Sequence, residues 1–150
     1  MNRNKNPLNV KQVPDGGWKG SVGADDRGHA VFEDPAYGIR AAMRCFQRKF
    51  INGKRTIRAI VFDWAPVDDT QGSVLNKLMN DPEGYSDFVA ARAHMGKEAY
   101  LPDPVRDPAT WTWLLRAMAQ YEMGESCPWG VILAGVGLWF KDFGEEGERG

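Results

Sequence analysis

Four times in 150 residues an aspartate is followed by a proline, at 34, 81, 103 and 107, and three of these pairs open an apolar run with helical spacing. An Asp side chain accepts the unpaired amide hydrogens at a helix start, and Pro fits the first helical position because its missing donor is not needed there. Helices are therefore predicted to begin at Pro35, Pro82 and Pro108, and the fold class is mainly α. The first, residues 35 to about 50, sets Ile39, Ala42, Met43, Phe46 and Phe50 on one face and Arg40, Arg44 and Arg48 on another. The second, 82–95, turns Tyr85, Phe88, Val89 and Arg92 to one side, and the third, 108–123, carries Trp111, Leu114, Leu115 and Met118. "TIRAIVFDWAP" adds a short helix that Pro66 stops. A fifth helix, 128 to about 140, is apolar nearly all round and is expected to be the central buried one. Trp64, Trp111 and Trp139 are expected in the core.

Residues 1–34 have a different texture. They are rich in Gly, Asn, Asp and Pro, with "PDGG" and "DDRGH" as turn signals, and predict a small irregular or β-containing lobe ahead of a helical lobe at 35–143. A polar, Gly-containing connection at 67–80 is expected to be mobile, and residues 144–150 read as a frayed acidic tail. The length suits one domain, 1–150, with a core that needs no staples. Hydrophobic residues at 43% and charged residues at 26% exclude a disordered chain, and no apolar run approaches a membrane span. Two cysteines and two histidines stand in no disulfide or ligand spacing, so neither a metal nor another cofactor is expected. The start, "MNRNKNPLNVKQ", lacks the apolar centre of a signal peptide. A net charge of −1 argues against a dedicated nucleic-acid binder, although residues 40–58 hold seven basic side chains and no acidic one.

The most informative single residue is Glu122, in "LLRAMAQYEMGESCPWG". It precedes by two positions a glycine that reads as a helix stop, so its carboxylate meets the negative end of the helix dipole, a placement disfavoured by up to about 1 kcal/mol. With Tyr121, Met123 and Trp129 able to exclude water, such a carboxyl keeps its proton to higher pH and can serve as a general acid. The competing reading is an outward-facing, solvated Glu.

Two groups of motifs are familiar. "NPLNV", "GGWKG" and "GHAVFEDPAYGIRAAMRCF", followed by "GKRTIRAIVFDWAP", "YSDFVAARAHMG" and "LLRAMAQYEMG", resemble phage and prophage virion proteins from Asn6 to about Leu138. The Asn-Pro-x-Asn and Trp-x-Gly segment also resembles the Asn-rich segment of lysozyme-like glucosaminidases. "RAMAQYEMGESCPWG" is similar to the helix-ending Glu-Ser-Gly of lytic transglycosylases, with Met123 where that motif has Ser. The Glu motif here follows the Asn motif, whereas in those enzymes it precedes it, which implies a circularly permuted lysozyme-like domain.

The resemblance implies a virion-associated protein that binds, and as an enzyme cleaves, the glycan strand of peptidoglycan. Glu122 would be the acid. Asp25, Asp26 or Glu33 would be a second carboxylate, unless the substrate's own acetamido group or 6-hydroxyl attacks. Asn6 and Asn9 would hydrogen-bond N-acetyl groups, Trp18 would pack on a sugar face, and Tyr121 and Trp129, with Trp113, would border the cleft; each also has a plain reading as a turn or core residue. The basic surface of Arg40, Arg44, Arg48, Arg55 and Arg58, with Lys54, could meet anionic wall polymers, packaged DNA or an acidic partner, or be a solvated helix face. The contrasting expectation is a non-catalytic structural protein of the virion, with other virion proteins as partners; a nucleic-acid binder ranks third. Location in the virion or the host cytoplasm follows from the lack of a signal peptide.

Overall fold

The computed structural model describes residues 1–65 and 81–145. The connection expected at 67–80 lies outside the described residues, as does the end of the acidic tail. The described residues form two short strands, β1 (Ser21–Ala24) and β2 (Ala30–Phe32), and five helices, α1 (Pro35–Ile51), α2 (Ile57–Trp64), α3 (Pro82–Ala93), α4 (Pro108–Met123) and α5 (Trp129–Phe143). The mainly helical class with a small N-terminal β lobe is what the sequence predicts.

The three Asp-Pro starts are capped as their chemistry demands. Asp34 accepts from the Ala36 amide at 2.9 Å, Asp81 from Gly84 at 3.0 Å and Asp107 from Thr110 at 3.2 Å. The fourth pair makes a turn instead, with Asp103 Oδ1 accepting from the Val105 amide. Thr56 caps α2 through the Ala59 amide. α3 ends at Ala93 rather than at 95, because His94 adopts the left-handed conformation that stops a helix.

The hub is α1, ten of whose 17 residues are buried, and it packs on α2, α4 and α5. This corrects the expectation for α5. Only Ile132, Gly135, Val136 and Trp139 of that helix are buried, while Leu133 is 57% and Phe140 46% exposed. An apolar composition all round thus accompanies burial of one side, and that side is chosen by a small residue. A Cβ at Gly135 would lie 2.4 Å from the Ile39 Cβ and 2.7 Å from the Ala36 carbonyl oxygen, so α5 seats directly on the α1 backbone. Gly135→Val is expected to cost about 1–3 kcal/mol through overpacking, more than the helix-propensity gain of about 0.5 kcal/mol offsets. Gly137, with nothing within 4 Å of its added Cβ, is the control: Gly137→Ala should stabilise, and urea denaturation of the two variants reads both signs.

Arg40 also departs from expectation. It is only 6% exposed, its Nε and Nη2 each lie 2.9 Å from Asp142 Oδ2, and its guanidinium sits over the Phe143 ring. It therefore ties α1 to the end of α5 and is no part of a solvated stripe. Lys19 of the N-terminal lobe reaches the same carboxylate at 3.2 Å.

The strands pair antiparallel, Ser21 with Phe32 and Ala24 with Ala30, with a register irregularity between Ser21 and Gly23. Leu8, Val10, Ala30 and Phe32 bury the lobe against the helices. Among the described residues no helix is long and apolar enough to cross a membrane.

Candidate functional site

Where the N-terminal lobe meets the helices there is a cleft of about 500 Å³. The lobe contributes Asn9, Lys11, Gln12, Trp18 and His29; α1 contributes Cys45 and Lys49, α2 Trp64, and α4 Glu122. Three of the residues singled out in the sequence, Asn9, Trp18 and Glu122, therefore share one concavity although 113 positions separate the first from the last.

Glu122 reaches the cleft because α4 stops where it does. Gly124 takes the left-handed conformation at φ 73° and its amide bonds Gln120, which ends the helix and leaves Glu122 in the last turn. The side chain is half-buried, and burial pushes its carboxyl above the usual carboxylate range, against the pull of a hydrogen bond from the Trp64 side chain. The indole of Trp64 is in turn fixed edge-on to Phe46, ring centroids 4.9 Å apart. Among the described residues Glu122 is the one acid that lines the cleft.

The lobe residues divide by what their polar atoms already do. Asn6, fully buried, donates from Nδ2 to the carbonyls of Val10 and Ala30 and accepts the Val10 amide on Oδ1, all at 2.9 Å. Its amide is spent in stitching the first segment to β2, and it does not line the cleft. Asn6→Ala should cost about 1–3 kcal/mol for each buried group left unpaired, which a urea midpoint would register. Asn9 adopts φ 55°, a conformation Asn tolerates better than most residues, and its side-chain amide has no hydrogen-bond partner among the described residues. Trp18 donates its indole N–H to the Lys11 carbonyl at 2.9 Å, so what it offers the cleft is ring surface.

The candidate second carboxylates lie elsewhere. Asp25 and Asp26 line a separate polar hollow of about 340 Å³ that shares Asn9 and His29 with the cleft, and Glu33 is exposed away from both. Burial raises the Asp25 carboxyl, but hydrogen bonds from the His29 amide, the Asn4 side chain and the Arg27 amide outweigh it and hold the group down to about 2. Asp25 closes the hairpin turn and sits 3.4 Å from His29 Nδ1. His29 is the cleft residue that sequence reasoning missed; the turn motif "DDRGH" already brings it back onto Asp25. Lys11, Gln12, Cys45, Lys49, which is paired with Asp63, and Trp64, expected in the core, also line the cleft without having been singled out.

Tyr121 and Trp129 are not brought to the cleft. Tyr121 stacks on Tyr85 at 3.8 Å between ring centroids and meets Phe88 edge-on. Trp129 packs edge-on against Trp113 at 4.9 Å and under the Arg116 guanidinium. Tyr121, one position before Glu122 on α4, faces another side of that helix, and Trp129 lies beyond the Gly124 stop, at the start of α5. Of the basic side chains, Arg55 lies over Phe50 and Arg58 bonds Glu83 and covers Phe62, whereas Arg44 and Arg48 line a second groove beside the cleft.

No protein-family model matches the chain. Protein P5 of Pseudoalteromonas phage PM2 is 32% identical to it across 83% of this chain and 71% of that protein's own length. At that identity and coverage common descent is secure, and the chain belongs to the phage protein family of protein P5 of phage PM2.

Proposed function

We propose that this phage protein is virion-associated and binds and cleaves the glycan strand of peptidoglycan, with Glu122 as general acid in a circularly permuted lysozyme-like domain. The observation that carries the reading is the meeting of Glu122, Asn9 and Trp18 in one cleft. The raised carboxyl of Glu122 supplies a proton, the uncommitted Asn9 amide suits an N-acetyl group, and the Trp18 ring suits a sugar face.

With no second carboxylate lining the cleft among the described residues, the reading favours attack from within the substrate. Glu122 gives its proton to the leaving glycosidic oxygen and the bond from that oxygen to the anomeric carbon breaks. The sugar's own 6-hydroxyl then bonds to that carbon and returns its proton to the Glu122 carboxylate, so the acid is regenerated and an anhydro end is formed. His29, held by Asp25, faces the same space.

The test is release of soluble muropeptides from purified peptidoglycan by the parent and by Glu122→Gln. Release by the parent alone, with anhydro ends, supports the assignment. Release by neither across about pH 4 to 8 leaves the second reading, a structural protein bound to other virion proteins. That reading is favoured by one observation, the exposed Leu133 and Phe140 on the outer side of α5.

A further inference from the structure

Beside the Glu122 cleft runs a second groove of about 690 Å³, lined by Arg44, Arg48, Lys49 and Lys54 with Asp63 as its acid. The two concavities adjoin: Val13, Trp18, Cys45 and Lys49 line both. We propose that this groove is a subsite for the carboxylates of the peptide stems on the glycan, so that the substrate class is peptide-bearing glycan rather than a bare amino-sugar polymer. The inference rests on the glycan reading of the Glu122 cleft and adds the recognition of the stem.

The charges are arranged for a carboxylate ligand. Asp63 is engaged by Lys49 and also feels the Lys54 charge, while Arg48 and Lys54 are exposed and neither makes a close ion pair among the described residues. Arg44 is held in place by Gln47 Oε1 at 2.9 Å and by the Phe143 ring, 4.2 Å from the guanidinium carbon, so this wall of the groove is ordered before anything binds. A guanidinium recognises a carboxylate through two parallel hydrogen bonds, and a nearby ammonium adds a second point of charge. The peptide stem is favoured over nucleic acid for two reasons. Trp18 lines both concavities, so a sugar on its ring lies beside the groove, and the chain's net charge of −1 provides no field for a polyphosphate.

The test uses the full chain carrying Glu122→Gln, which prevents turnover, and two probes. One is a glycan oligomer with intact stems and the other the same oligomer with its stems removed. The stemmed oligomer should bind at least about tenfold more tightly, the increment of one or two charge-assisted hydrogen bonds. Adding Arg48→Glu and Lys54→Glu should collapse that ratio to near one, whereas Lys141→Glu on α5, outside the groove, should preserve it. Both reversed residues are exposed, and a thermal melt of each variant confirms the fold. Equal affinity for the two oligomers overturns the stem subsite and leaves the cleft reading standing. Binding of neither oligomer overturns both. Salt-sensitive binding of a DNA duplex that Arg48→Glu abolishes, without a gain from stems, assigns the groove to nucleic acid and overturns the proposal.

Discussion

Glu122→Gln is expected to lower muropeptide release by about 10²–10⁴-fold, the contribution of a positioned general acid. The substitution is close to isosteric, and the Gln carbonyl can still accept from the Trp64 indole, so the loss should be chemical and not structural. Because burial raises the Glu122 carboxyl, parent activity should persist to higher pH than an ordinary carboxylate would allow and then fall as that group ionises. The same shift has a stability consequence of definite sign. A carboxyl whose folded-state pKa is raised contributes stability that is fully present below its unfolded pKa and is lost as pH rises through the folded one. Glu122→Gln should therefore melt above the parent at pH above the raised value, and the gap should close in acid, below the ordinary glutamate range. Thermal melts of both proteins across pH, set beside release assays, measure the two effects together. A variant that releases muropeptides like the parent, or melts with the same gap at every pH, would remove Glu122 from the acid role.

Trp139→Ala should produce the largest loss of stability, about 3–5 kcal/mol. Its side chain is fully buried between α5 and α1, and its indole N–H donates to Gln47 Oε1 at 3.0 Å. Gln47 is itself buried and passes the connection on, from Nε2 to the Phe143 carbonyl at 3.1 Å. Removing the indole leaves a cavity at the hub and cuts one bond of a chain that anchors the last turn of α5, where Asp142 holds Arg40 and Lys19. Trp139→Phe restores part of the volume without the donor and should lose less, so the difference between the variants apportions packing and hydrogen bonding. Urea denaturation reads both. A loss below about 1 kcal/mol for the alanine variant would mean that the surroundings collapse into the space or that α5 is not docked as described.

The helix starts and the site were legible in the sequence to different depths. Asp34, Asp81 and Asp107 declare their helices because a cap bonds two or three residues along the same chain, and nothing distant intervenes. Glu122 stood out for a similarly local reason, a carboxylate set against the negative end of its own helix. Asn6 and Asn9 show where local reading stops. They are the same residue type three positions apart, yet Asn6 turns its amide onto Ala30, 24 positions away, while the Asn9 amide lies at the cleft with no partner among the described residues. Arg40 reads as one step of a basic stripe until Asp142, 102 positions on, takes it out of water. For α5, an apolar residue count cannot tell a central helix from one lying on a hub, because the seating is decided by Gly135 against Ile39 and Ala36.

The sequence by itself determined the mainly helical class, the three capped helix starts, the small N-terminal lobe and the anomalous position of Glu122. Tertiary structure alone decided which side of α5 is buried, which basic residues stay at the surface, and that Asn9, Trp18, His29, Trp64 and Glu122 line one cleft. The reason is range: capping and periodicity act over about four residues, whereas a cleft is made where segments remote in the chain are packed together and share the exclusion of water.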